Sequence, residues 1–140
     1  MIVYAESSAV LAWLLGDVRG EEVAAVLAAA DAVIASDLTV VECERVLIRA
    51  WSTGVLREAD AADHGALLAR AAARWTRLRL GGDVIERATR PFPVEPVRAL
   101  DALHLGSALV ARSAVPGLRL LTLDQRVREN GERLGLQPLP

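Results

Sequence analysis

The spacing of apolar and polar residues changes repeatedly along the chain, and the changes mark alternating strands and helices. Met1 to Ala5 is an apolar run too short for a helix and predicts a buried strand. It ends at Glu6-Ser7-Ser8, where either serine is placed to cap a helix over Ala9–Leu15. Gly16 stops that helix. Val23, Val26 and Leu27 recur at helical spacing within Arg19–Ala30, and a second short strand, Ala32–Ala35, ends at Ser36-Asp37. Val40, Cys43, Leu47 and Ala50 then form one stripe of a helix from Thr39 to about Trp51, closed by Ser52-Thr53-Gly54.

The second half continues the alternation. Arg57–Arg74 reads as a longer, Ala-rich helix, and Thr76–Leu80 alternates Arg with Leu as a half-buried edge strand does. After Gly81-Gly82 come a helix over Asp83–Thr89 and a stiff loop over Arg90–Val97, which holds Pro91, Pro93 and Pro96. A helix over Arg98–Ser113, a strand over Leu118–Leu123, a helix over Asp124–Leu134 and a short strand over Gly135–Leu139 complete the chain. Strands that alternate with helices need crossover connections, which predicts an α/β fold with a mainly parallel sheet. In such folds sites form beyond the carboxyl ends of strands. Glu6 and Asp124 both lie there. No Gly-x-Gly-x-x-Gly follows the first strand, so a dinucleotide fold loses its main support.

Composition narrows the chemistry. The 140 residues suit one domain, 1–140, and 53% hydrophobic content is enough to bury a core. Cys43 is the single cysteine, which removes any intrachain disulfide and any cysteine-based zinc site. No secretory signal is visible, and the apolar runs fall short of the ~18 residues that span a bilayer, so the expectation is a cytoplasmic protein without a membrane partner. All 16 basic side chains are Arg. Without Lys there is no Walker P-loop and no Schiff-base enzyme. A net charge of −2 means that any nucleic acid would have to be met by locally grouped arginines.

Four acids stand at telling places, each with a plainer alternative. Glu6 interrupts a strand-to-helix junction, where an anion also suits a helix N-terminus. Glu42 completes Thr39-Val40-Val41-Glu42, which matches a capping box with Thr39 as the cap. Asp124 follows Leu120-Leu121-Thr122-Leu123 and is placed to cap the last helix. Asp101 shares its helical stripe with Leu105 and Ala108 and is expected to face inward. There it needs a cation, a proton or an arginine such as Arg98. Taken together, carboxylates that crowd one place repel one another unless a cation shares it, and oxygen-only ligands suit Mg²⁺ or Mn²⁺. His104, between apolar neighbours, reads more readily as a hydrogen-bonded core histidine than as a general base. Trp13, Trp51 and Trp75 read as core or interface rather than as base-stacking platforms.

The set Tyr4-Ala5-Glu6-Ser7-Ser8-Ala9, Ser36-x-Leu38-Thr39-x-x-Glu42, Arg98-Ala99-Leu100-Asp101-Ala102-Leu103-His104-Leu105 and Leu121-Thr122-Leu123-Asp124 resembles PIN domains, and in particular the VapC-type toxins of bacterial toxin–antitoxin pairs. The likeness runs from Met1 to Leu134-Gly135-Leu136-x-Pro138. It implies a PIN-like three-layer sandwich whose five-stranded, mainly parallel sheet sets the first and fourth strands side by side. Glu6 and Asp124 would then face each other, with Glu42 and Asp101 reaching in from flanking helices. The resemblance further implies Mg²⁺ or Mn²⁺ as cofactor, RNA as substrate, a cognate antitoxin that blocks the acidic groove, and Ser7 and Thr122 as supporting hydroxyls. The family's first acid is usually Asp; here it is Glu6.

The expected activity is therefore metal-dependent endoribonuclease hydrolysis of RNA, transfer or ribosomal, by an activated water. Glu6, Glu42, Asp101 and Asp124 are the expected catalytic residues, and Glu6, Asp101 and Asp124 the expected metal ligands. Arg98 and Arg126, with Arg49 and Arg112, are candidates for holding RNA, and a homodimer would join two grooves into one track. The alternative is a PIN-fold RNA- or protein-binding module whose activity is impaired by Glu6.

Overall fold

The protein is described here from a computed structural model of residues 1–140. Five strands, β1 (Ile2–Ala5), β2 (Ala32–Ser36), β3 (Thr76–Leu78), β4 (Arg119–Leu121) and β5 (Gln137–Leu139), form one sheet in the order β3-β2-β1-β4-β5. Every neighbouring pair is parallel. The seven helices are α1 (Ser7–Leu15), α2 (Gly20–Ala29), α3 (Asp37–Ser52), α4 (Glu58–Ala72), α5 (Gly82–Ala88), α6 (Ala99–Ala114) and α7 (Gln125–Arg133). The order of alternation expected from the sequence is thus observed. The chain builds outward from β1 to β3 and then returns to the other side of β1 for β4. The switch point lies between β1 and β4, where their carboxyl ends open a crevice.

The pleat sends successive side chains of the central strands to opposite faces. Tyr4 and Leu120 enter one core with Leu105 and Ala108 of α6 and Val127 of α7. Val3, Ala5 and Leu121 enter the other with Val10 of α1, Val23 of α2, Cys43 of α3 and Leu68 of α4. Burial on both faces explains why the central strands read as continuous apolar runs. Fully burying one such Leu or Val stabilises the fold by roughly 1.5–3 kcal/mol. At the edge, β3 is short and carries exposed Thr76 and Arg77, as the Arg/Leu alternation suggested.

Some local expectations fail, and tertiary contacts explain why. Neither serine caps α1: the helix begins at Ser7, and the carboxylate of Glu6 takes the cap by accepting from Ser8 N at 3.1 Å. Thr39 does not cap α3. Ser36 does, its Oγ accepting from Leu38 N at 3.0 Å, and α3 therefore starts at Asp37. Thr39 lies within the first turn and donates to Ala5 O at 3.1 Å, which fastens α3 beneath the end of β1. β4 ends at Leu121: Thr122 N still donates to Leu139 O along the ladder with β5, but Leu123 N donates to the Ser8 hydroxyl instead of to a strand. Trp13 and Trp75 pack against the second core, while Trp51 is exposed on α3. No helix is long and apolar enough to cross a membrane.

Candidate functional site

Each acid reaches the crevice from a different element. β1 delivers Glu6, which is only 4% exposed. Its Oε1 accepts from Ser8 N at 3.1 Å, and its Oε2 accepts from Thr122 Oγ1 at 2.7 Å and from the Ser8 hydroxyl. Both oxygens are therefore engaged by the protein itself. β4 delivers Thr122 and, two residues on, Asp124. The Oδ1 of Asp124 caps α7, accepting from Arg126 N at 2.8 Å and Val127 N at 2.9 Å. Ser8 and Thr122 join the two strand ends, since Asp124 N donates to Ser8 Oγ at 3.0 Å and to Thr122 Oγ1 at 3.1 Å. The carboxylates of Glu6 and Asp124 thus meet through hydroxyls and backbone rather than by direct approach.

Glu42 of α3 does not reach back to its own helix end. Its Oε1 accepts from Ser7 Oγ at 2.7 Å and meets Nε2 of His104. Burial pushes the Glu42 carboxyl up, but the hydrogen bonds from His104 and Ser7 and the nearby imidazole outweigh it and hold the group below the ordinary carboxylate range. His104 is 1% exposed and also lies 3.9 Å from Glu6 Oε1. It is a buried, hydrogen-bonded histidine, as its apolar neighbours suggested, but its partners belong to the acid cluster. No local pattern shows this, because Glu42 lies 62 residues away from His104 in the chain.

Asp101, on the first turn of α6, is the acid without an answer. Its side chain is 15% exposed, and its buried Oδ2 has no hydrogen-bond partner. Arg98 Nε stands 3.7 Å away, too far for a hydrogen bond, on a side chain that is 73% exposed. Burial raises the Asp101 carboxyl above its ordinary range, and the charge of Asp124 raises it further; Arg98 and His104 oppose this, and Glu42 adds to it. Asp101 thus feels both Asp124 and Glu42, while Glu42 and Glu6 both lie beside the His104 ring.

No three His, Cys, Asp or Glu side chains stand close enough together to hold a metal ion among themselves. Asp101 offers a carboxylate oxygen without a hydrogen bond, and Asp124, whose Oδ1 caps α7, is the charge that most raises it. Mg²⁺ is commonly held by one or two carboxylates with waters filling its shell, and this pair of hard oxygen donors around an orphaned buried carboxylate fits such an ion. Of the arginines, Arg98 and Arg126 are exposed beside Asp101 and Asp124, and Arg49 is exposed on α3. Arg112 turns toward the fold as well: its Nη1 donates to Leu134 O at 2.6 Å and closes the end of α7.

Comparison with known proteins agrees with this architecture. The family model described as PIN domain matches residues 3–132. Ribonuclease VapC35 of Mycobacterium tuberculosis, in strains CDC 1551 / Oshkosh and ATCC 25618 / H37Rv, is 40% identical over 53 residues, or 38% of this chain. The match spans 39% of the length of those curated relatives. The crystal structure of VapC20 from Mycobacterium tuberculosis, described as a sarcin–ricin loop cleaving toxin, aligns with a TM-score of 0.66 at 16% identity, covering 92% of this chain and 95% of that one. That second likeness is one of fold.

Proposed function

This chain belongs to the PIN-domain family, and from that premise we propose that it is a VapC-type, metal-dependent endoribonuclease toxin acting as one domain over residues 1–140. The observation that carries the proposal is the carboxylate of Asp101, buried, without a hydrogen bond, and raised by its surroundings beside Asp124. Burying a carboxylate oxygen without a hydrogen bond costs stability, and a divalent cation offsets that cost.

In this reading Asp101 and Asp124 hold Mg²⁺ or Mn²⁺, with Glu6 behind them. When bound, such an ion supplies charge neutralisation at a phosphoryl oxygen and lowers the pKa of a coordinated water. The protein's own groups divide the remaining work. Glu42, kept ionised by Ser7 and His104, orients the attacking water and accepts its proton. Glu6 fixes the strand ends through Ser8 and Thr122, so that Asp124 keeps its place at the head of α7. Arg98 and Arg126 steer the RNA backbone toward the acids. No side chain forms a covalent intermediate, and the products carry a 5′-phosphate and a 3′-hydroxyl. The partners in this proposal are RNA, transfer or ribosomal, a cognate antitoxin and a second copy of the chain, in the cytoplasm.

One feature favours a second reading. The usual aspartate is Glu6 here, and both its oxygens are occupied by Ser8 and Thr122, which suits a PIN fold that binds RNA or protein without cutting. Incubation of the purified protein with transfer and ribosomal RNA, in Mg²⁺, Mn²⁺ or excess EDTA, separates the two. The nuclease proposal expects EDTA-sensitive products with 5′-phosphate ends that Asp101→Asn abolishes. Absence of such products in either metal, or undiminished cleavage by D101N, refutes it.

A further inference from the structure

His104 ties four elements together at one ring. It projects from α6, its Nδ1 lies 3.0 Å from the hydroxyl of Tyr4 on β1, and its Nε2 meets Ser7 Oγ of α1 at 2.9 Å and Glu42 Oε1 of α3. A histidine that only filled core volume would need one hydrogen bond for each nitrogen. This ring instead ends on a carboxylate of the proposed catalytic set, one helical turn after Asp101.

The positions of the protons follow from the contacts. Ser7 has one hydroxyl hydrogen, which it gives to Glu42 Oε1 at 2.7 Å. Glu42 is held below the ordinary carboxylate range and has no proton to give. Nε2 faces two oxygens that present lone pairs, so Nε2 must carry the hydrogen. Burial raises the Tyr4 phenol far above its ordinary value, so its hydroxyl keeps its proton and can donate to Nδ1. With the imidazole neutral, the order is Tyr4 O–H to Nδ1, then Nε2–H to Glu42. A partner at the far nitrogen selects which nitrogen faces a functional carboxylate as a donor, just as outer groups fix the tautomer of metal-bound histidines.

We propose that His104 is a positioning residue whose tautomer is fixed by Tyr4 and whose Nε2–H holds Glu42 in its working orientation opposite Asp101. This rests on the nuclease reading for its kinetic consequence, but not for its geometry. The ring spaces the two acids because α6 carries both His104 and Asp101, and Glu42 is anchored to the first of these. Without the Nε2–H donor, Glu42 keeps only Ser7 and is free to swing within the crevice.

Two variants of similar polarity distinguish positioning from packing. In His104→Gln the amide nitrogen falls near Nε2 and restores the donor to Glu42; in His104→Asn it reaches only the Nδ1 side, toward Tyr4. H104N should lose about 10–100-fold in kcat with KM little changed, and H104Q should recover most of that loss. Long-range ¹H–¹⁵N spectra of the metal-free wild-type protein should show the His104 hydrogen on Nε2, with a resonance that Glu42→Gln shifts. Equal loss in H104Q and H104N overturns the proposal, as does a hydrogen found on Nδ1 alone. If the wild type cleaves no RNA, the nuclease reading fails by itself, and the spectra still decide the role of His104. They decide it equally if the variants do not fold.

Discussion

Thr122 Oγ1 donates to Glu6 Oε2 at 2.7 Å, across 116 residues of sequence, and so latches the end of β4 to the end of β1. The same oxygen accepts from Asp124 N at 3.1 Å. One hydroxyl thereby sets the relation between the first and last acids. A hydrogen bond to a charged group contributes about 1.5–3 kcal/mol, and leaving a buried acceptor unmet costs a similar amount. Thr122→Val should lower unfolding stability by about 1–3 kcal/mol in urea titrations, whereas Thr122→Ser should retain most of it. Equal stability of the Val variant and the wild type would show that the latch contributes nothing.

Asp101 and Glu42 should respond to pH with opposite signs. The folded carboxyl of Asp101 is raised, so the folded state binds more protons than the unfolded chain between the ordinary value and the raised one. Stability from this group is present at acid pH and falls as pH rises through that window. Asp101→Asn should therefore stabilise the metal-free protein at neutral pH by about 0.5–2 kcal/mol, with the gain fading below the ordinary carboxylate range. Glu42 is lowered, so its contribution is present above its ordinary value and is lost as pH falls toward its folded value. Glu42→Gln should accordingly destabilise at neutral pH. Thermal melts of both variants across an acid-to-neutral series read these signs directly, and a destabilised D101N at neutral pH would contradict the assignment.

Cys43 lies fully buried beneath the same crevice, its Sγ 4.0 Å from Ser7 O. Burial, then the charges of Glu42, Glu6 and Glu44, push its thiol up to about 12. Only the thiolate attacks thiol reagents, so the native protein should stay unlabelled at pH values near the free-thiol pKa of about 8.5 and react at once on unfolding. Rapid labelling of the native protein would mean that the second core opens readily.

The strands were legible because β1, β2 and β4 are buried on both faces and read as unbroken apolar runs. Asp101 was legible because a charge on an apolar stripe with Leu105 and Ala108 demands a reason. The errors share one cause. Thr39 and Glu42 satisfy a local capping pattern, yet Thr39 spends its hydroxyl on Ala5 O and Glu42 spends its carboxylate on Ser7 and His104. Ser8, expected as a possible cap, instead bonds to Glu6, Leu123 and Asp124. Local spacing identifies a polar side chain as interesting; only the fold decides which of its possible partners it takes.

The central claim is that Asp101 and Asp124 share a divalent ion that quiets their repulsion. Calorimetric titration of the metal-free wild type with Mn²⁺, beside D101N and Asp124→Asn, tests it without any RNA. The claim predicts about one ion per chain, with heat and affinity sharply reduced in both variants. Binding that is unchanged in D101N and D124N, or no binding by the wild type, would contradict it.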